Sequence, residues 1–163
     1  AVSLEIQTVQ PYLPQPESLN TRELALLATG QGPLYVSPLH LALIAAAISR
    51  DDGAVPMPHL VESVLSPDGS LVYRTEASVL SHPIRPQTAA QVRQLLPAWS
   101  RLMGQTGAVE LGPGIKPHAI FVGFAPLPEA NYAVCALIEN EGQGEHQAYE
   151  LADHVLQSLL HKH

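Results

Sequence analysis

The spacing of apolar residues predicts several helices, and the first can be placed from its two ends. A helix is expected from Thr21 to Thr29, because Asn20 and Glu23 fit a capping box. The glycine-rich stretch from Gly30 to Pro33 ends it. A later short helix is predicted from Gln87 to Leu96, where a proline follows.

A second early helix and a β-hairpin are predicted between these two. The helix runs from Leu39 to Ser49, behind Ser37 as N-cap and a proline at the first helical position. Its apolar residues lie on nearly every side, so we expect it to be buried all round. The hairpin consists of Leu60–Leu65 and Ser70–Arg74, which flank the turn sequence Ser66-Pro67-Asp68-Gly69.

The last part of the chain predicts an α+β fold. Arg101–Glu110, Ala119–Phe124 and Tyr132–Glu139 alternate between apolar and polar residues, which favours an antiparallel meander of about three strands. The alternating segment from Val2 to Thr8 predicts an N-terminal strand that can join them. A closing helix from Glu145 to His161 is expected to pack on the sheet, together with the N-terminal helices. Its predicted sheet-facing residues are Ala148, Leu151, Ala152, Val155 and Leu159.

Composition limits the classes of partner and of compartment. The 163 residues, 46% of them hydrophobic, are enough for a single domain, residues 1–163. With 8 basic and 15 acidic residues the formal charge is −7, so we expect no nucleic-acid partner. The single cysteine, Cys135, rules out an internal disulfide. The apolar run from Leu41 to Ile48 is too short to cross a bilayer.

Three segments carry a resemblance to a known family. The stretch from Gly30 to Ile48 reads GQG, then SPL, then an alanine-rich helix, and it resembles the same region of class B penicillin-binding proteins. Gly104-Gln105-Thr106-Gly107-Ala108 is similar to their third strand, with glutamine in place of the lysine of the K-T-G motif, and His118–Pro126 is similar to their fourth. The resemblance covers nearly the whole chain. It implies the carboxy-terminal half of a transpeptidase domain, related in fold to the serine β-lactamases.

The family needs three motifs for its chemistry, and the nucleophile motif is absent from this chain. In S-x-x-K the serine is acylated and the lysine is its base. The residues three before Lys116 and Lys162 are Pro113 and Leu159, so no serine has a lysine at this spacing. The resemblance therefore implies no catalytic residue within this chain.

The third motif survives in part and provides the predicted substrate-binding residues, Gln105, Thr106, Gly107 and Ala108. Lysine at the first position would place a positive charge beside the serine, whereas Gln105 offers a neutral amide. The family's usual fourth residue is a threonine, so Ala108 removes a hydroxyl donor. The resemblance places the Ala108 backbone N–H in the former oxyanion position.

Other candidate sites are interpreted as structural. Ser18-Leu19-Asn20 spells the second motif, S-x-N, but it lies too close to the GQG segment and is explained by capping of the first helix. We interpret His118 as structural, and His154 and the tail His161–His163 as surface residues without a metal site or cofactor. Cys135 is expected to be buried and unreactive within its strand.

These observations lead to two hypotheses. In the first, the chain is part of a D,D-transpeptidase domain that cross-links peptidoglycan outside the cytoplasmic membrane. The chain alone is then not catalytically competent. The alternative is a non-catalytic module that binds peptidoglycan or a cell-wall partner protein. We expect the Leu39–Ser49 helix to be covered by the missing N-terminal half of the domain or by a second copy of the chain. A peptidoglycan peptide is a further expected partner. The first residue is Ala1, and we expect a longer parent chain.

Overall fold

The computed structural model describes residues 7–127, 129–142 and 145–160 and combines helices with antiparallel sheets. The α-helices of this part are α1 (Thr21–Ala28), α2 (Pro38–Ser49), α3 (Pro86–Leu95) and α4 (Glu145–Leu160). Its strands are β1 (Val55–Pro56), β2 (Ser63–Leu65), β3 (Leu71–Arg74), β4 (Val79–Ser81), β5 (Ala98–Trp99), β6 (Leu102–Val109), β7 (His118–Ala125) and β8 (Tyr132–Ile138). The α+β prediction is confirmed.

The central sheet has the order β5-β6-β7-β8, with every neighbouring pair antiparallel. It contains the predicted meander. Helix α4 packs on one face of β6, β7 and β8, and α2 contacts β7 and β8 from the other face. The core between the sheet and α4 consists of Leu102, Ala119, Phe121, Ala125, Ala136, Ala148, Ala152 and Leu156.

Both early helices begin where the sequence predicts, for the predicted reason. The Asn20 side chain accepts a hydrogen bond from the Glu23 N–H at 3.0 Å, and the Glu23 carboxylate accepts one from the Asn20 N–H at 2.9 Å. At α2 the Ser37 hydroxyl accepts from the N–H of His40 at 3.3 Å. These side chains satisfy N–H groups that a helix leaves unpaired in its first turn.

The prediction that α2 is buried all round is wrong. Ala45 and Ala47 are buried, whereas Ile44 is 50% exposed. The sheet covers one side of the helix, and in the described part of the chain Ile44 stays half open to solvent. An apolar helix can therefore keep an open face when the surrounding elements are too few to enclose it.

The predicted sheet-facing side of α4 is also partly wrong. Ala148 and Ala152 are buried as expected, but the third member of the buried row is Leu156, whereas Leu151, Val155 and Leu159 are exposed. Ala148, Ala152 and Leu156 follow one another at a spacing of four, which places them on one face of the helix. With this row against the sheet, Leu151, Val155 and Leu159 lie on other sides of the helix.

The β2–β3 hairpin and helix α3 confirm their predictions, and the structure adds short strands that the sequence did not indicate. Strand β1 pairs with β4, and the two-residue β5 pairs with the beginning of β6. Tyr12 and Tyr35 form an isolated antiparallel bridge. Residues 1–6 of the predicted N-terminal strand lie outside the described part, and residues 7 and 8 belong to no strand.

Candidate functional site

The predicted substrate-binding residues lie on β6, which becomes an edge strand of the sheet after its first residues. Strand β5 pairs only with Leu102 and Met103, so in the described part of the chain no strand lies beside β6 from Gln105 onward. The Gly104 N–H donates to the carbonyl oxygen of Pro97 at 3.2 Å, on the side away from β7. Because backbone groups alternate along a strand, those of Thr106 and Ala108 also point to this outer edge.

Three outward carbonyl groups of β6 each accept a hydrogen bond from a side chain of the same protein. The indole Nε1 of Trp99 donates to the Gly104 oxygen at 3.3 Å. The Gln105 amide nitrogen donates to the Thr106 oxygen at 3.0 Å. The amide of Gln31 donates to the Ala108 oxygen at 3.3 Å, across 77 positions of sequence. The outer edge is thus covered by side-chain donors rather than by a neighbouring strand.

Side chains of the predicted site divide between the two faces of the sheet. Gln105 is exposed and lies opposite Val122, on the face that α2 contacts. Thr106 lies opposite the core residue Phe121, on the face covered by α4. The first position of the motif therefore carries a solvent-accessible neutral amide. Its role in substrate binding remains a prediction.

No lysine in the described residues replaces the one that the motif lacks. Lys116 lies in the connection between β6 and β7, and Lys162 lies outside the described part. Gln105 lies opposite Val122, and Val122 lies opposite Cys135, so these three residues form a row across the sheet. The thiol of Cys135 is the titratable group of this row. Burial raises the pKa of the Cys135 thiol to about 11, so it is protonated at neutral pH and a poor nucleophile.

The other candidate residues have structural contacts. The Ser18 hydroxyl donates to the Gln15 carbonyl oxygen at 2.7 Å, and Asn20 caps α1, so this serine and asparagine serve the local turn. His118 accepts a hydrogen bond from the Asn140 N–H at its Nδ1, at 3.0 Å, which links the start of β7 to the end of β8. His154 is exposed, and His161–His163 lie outside the described residues.

Gln31 is the residue of this site that sequence reasoning missed. It follows Gly30, whose φ of 75° ends α1. The Gly30 N–H donates to the Leu27 oxygen at 3.0 Å and the Gln31 N–H to the Leu26 oxygen at 2.8 Å, which together form a Schellman motif. The glycine signal was visible in the sequence, but nothing in the sequence indicated a contact between Gln31 and Ala108.

A second surface feature is an apolar groove along α2. Its volume is about 520 Å³, and it lies between α2, α3, β4 and the segment around Tyr12. Its lining is almost entirely apolar and includes Leu43, Ile44, Ile48, Leu80, Ile84 and Val92. An open apolar surface of this kind is typical of a site that another protein segment covers.

Comparison with known proteins decides the family. The model of the penicillin-binding protein transpeptidase domain matches residues 12–160. The chain belongs to this family. It corresponds to the carboxy-terminal part of a class B penicillin-binding protein, as the resemblance in sequence implied.

Similar proteins extend well beyond this chain. The peptidoglycan D,D-transpeptidase PbpA of Mycolicibacterium smegmatis is 31% identical over 134 residues, which are 73% of this chain and 27% of that protein. The imipenem acyl-enzyme of penicillin-binding protein A from M. tuberculosis has a TM-score of 0.84 at 26% identity, and the match covers 95% of this chain and 37% of that one. The D,D-transpeptidase domain of a peptidoglycan glycosyltransferase from Eggerthella lenta, at 24% identity, shares the fold, with a TM-score of 0.85 over 99% of this chain and 44% of that one.

The penicillin-binding relatives are cell-envelope enzymes. Within residues 7–127, 129–142 and 145–160, none of the helices combines the length and the apolar character that a bilayer crossing requires.

Proposed function

We propose that β6 is one wall of the peptide groove of a D,D-transpeptidase domain that cross-links peptidoglycan on the extracytoplasmic side of the membrane. The observation that carries this proposal is the outer edge of β6, where the backbone groups of Thr106 and Ala108 point away from the sheet. An extended peptide can add to such an edge through main-chain hydrogen bonds. The edge belongs to the strand that bears the remnant of the K-T-G motif.

The same proposal holds that this chain does not form an acyl-enzyme alone. Acylation needs a serine with an adjacent base, and the sequence has no serine followed three residues later by lysine. Gln105 provides no positive charge, and the Cys135 thiol is protonated at neutral pH because burial raises its pKa. The chain thus contributes the groove wall, and the nucleophile belongs to a segment that this sequence does not include.

The binding step can be tested without any catalysis. A peptidoglycan stem pentapeptide is titrated into the isotopically labelled protein, and backbone amide signals are followed by NMR. We expect the signals of Thr106 and Ala108 to shift with peptide concentration, whereas those of the distant β2–β3 hairpin stay in place. Shifts confined to residues outside β6 would contradict the proposed groove.

A second candidate function is a non-catalytic module that recognises peptidoglycan or a cell-wall partner protein. It is favoured by the two replacements in the motif strand, Gln105 for lysine and Ala108 for threonine, which indicate a relaxed demand on catalysis. The coding sequence upstream of Ala1 discriminates between the two functions. An S-x-x-K motif about a hundred or more codons upstream supports the enzyme, and its absence supports the binding module.

We also propose that the apolar groove along α2 is covered by the N-terminal half of the domain, or by a second copy when that half is absent. The half-exposed Ile44 and the apolar lining of the groove support this. Sedimentation velocity of the isolated chain should show a dimer or larger species, and Ile44→Glu should shift it towards monomer. Leu95→Glu is the control, because Leu95 is exposed and does not line the groove. A concentration-independent monomer for the unsubstituted chain contradicts self-association.

A further inference from the structure

The hydrogen bond between Gln31 and Ala108 occupies a position that an added peptide strand would use. Addition of a strand to β6 needs the outward carbonyl groups as acceptors for the N–H groups of the peptide. The Ala108 oxygen instead accepts from the Gln31 amide at 3.3 Å. The Gln31 side chain therefore lies beside the edge, where the backbone of the peptide would have to pass.

Gln31 is held in this place by its own backbone. The Schellman motif at the end of α1 fixes the N–H of Gln31 on the Leu26 oxygen at 2.8 Å. Gly30 and Gly32 both have positive φ values, 75° and 90°, which define the turn on either side of it. Only the side chain has to rotate for the amide to leave Ala108.

The adjacent position on the edge is covered in a similar way. The Gln105 amide donates to the Thr106 oxygen at 3.0 Å, so both outward carbonyl groups beyond the β5 pairing accept from a glutamine. Unpaired edge strands invite association with other chains, and proteins commonly block them. Here the side-chain amides of Gln105 and Gln31 satisfy the two carbonyl groups. Both amides are neutral, so a peptide can displace them without breaking an ion pair.

We propose that Gln31 is a displaceable cap on the β6 edge that competes with peptide for the Ala108 carbonyl group and sets how tightly the groove binds an extended peptide. This inference rests on the proposed function of β6 as a peptide groove. The ligand class is an extended peptide with a backbone N–H at the position of the Gln31 amide. Gln31 changes the affinity of the groove for peptide and takes part in no chemical step.

The test compares stem-pentapeptide affinity for the unsubstituted chain, Gln31→Ala and Gln31→Glu, measured by NMR titration of the β6 amides. Both substitutions remove the donor, and glutamate also keeps the length of the side chain. We expect each variant to bind about threefold to tenfold more tightly, as the loss of one competing neutral hydrogen bond predicts. Gln87→Ala is the matched control, since Gln87 is an exposed glutamine on α3.

The outcomes separate this inference from the proposed function. Tighter binding by both variants, with shifts at Thr106 and Ala108, supports both. Equal affinity of all forms overturns the proposal that Gln31 is a cap but leaves the proposed groove in place. Weaker binding by the variants also overturns the cap proposal, because Gln31 would then hold the peptide. If no form shows peptide-dependent shifts on β6, the proposal that β6 binds peptide is wrong, and the cap proposal fails with it. Thermal melting of each variant confirms that it is folded before titration.

Discussion

Gly104 on β6 and Gly123 on β7 lie directly opposite each other, and their missing side chains leave room for the ring of Phe121. A Cβ atom at Gly123 would lie 2.6 Å from the Met103 carbonyl oxygen and 2.8 Å from the Phe121 ring. At Gly104 it would overlap the Val122 carbonyl oxygen and lie 2.8 Å from the same ring. The glycine at the start of the motif strand is thus required by packing, whatever its role in the groove.

Gly104→Ala and Gly123→Ala should each lower the free energy of unfolding by about 1–3 kcal/mol, because backbone or a core ring must move to admit the methyl group. Urea denaturation followed by circular dichroism measures this. Gly107→Ala is the matched control on the same strand, since its Cβ would lie 3.5 Å from the Ile120 side chain, an ordinary contact. Equal stability of all three variants would show that the glycine pair is not needed for packing.

Leu156→Ala should lower the free energy of unfolding by about 2–5 kcal/mol, because Leu156 is only 1% exposed in the core between α4 and the sheet. Its neighbour Val155 is 47% exposed, so Val155→Ala should change the same quantity by about 0.5 kcal/mol or less. If Val155→Ala were more destabilising than Leu156→Ala, α4 would pack on the sheet through the face that contains Val155, as the sequence pattern predicts.

The fold could be predicted wherever local chemistry decides it. Asn20 and Glu23 cap α1, Ser37 caps α2, and Pro67 with Gly69 marks the β2–β3 turn, so these elements begin and end close to the expected residues. The faces of α2 and α4 could not be predicted. Ile44 and Val155 look like core residues in the sequence, and their exposure depends on which other elements are present to cover them.

The Cys135 thiol should react slowly with iodoacetamide in the folded protein, because burial raises its pKa to about 11. The reactive species is the thiolate, so at pH 8 we expect a rate about 200-fold below that of an ordinary cysteine. The rate should rise with pH until the pH reaches about 11, the pKa of the buried thiol. Mass spectrometry of the alkylated protein at several pH values measures it.

The control for Cys135 is the same reaction in guanidinium chloride, where the unfolded thiol should react at the ordinary rate. A folded-state rate that reaches its plateau near pH 9 would contradict the predicted burial effect, and it would reopen Cys135 as a candidate nucleophile in the row that contains Gln105.

The candidate site was only partly predictable from the sequence. Gln105, Thr106, Gly107 and Ala108 can be grouped from the sequence because the motif is contiguous on one strand, and their role in substrate binding stays a prediction. Gln31 was missed, since the bond from its amide to Ala108 depends on tertiary packing that brings the end of α1 to the edge of β6. Contacts of this kind leave no periodic signal in the chain.

The absence of an acylating residue from this chain can be tested by the intact mass of the protein after incubation with penicillin G, measured for the unsubstituted chain and for Gln105→Lys. No serine is followed three residues later by lysine, so restoring the motif lysine alone supplies no nucleophile. We predict that both proteins keep their original mass. A stable mass increase equal to one penicillin molecule, in either protein, would contradict the claim that this chain carries the groove wall without the acylating residue.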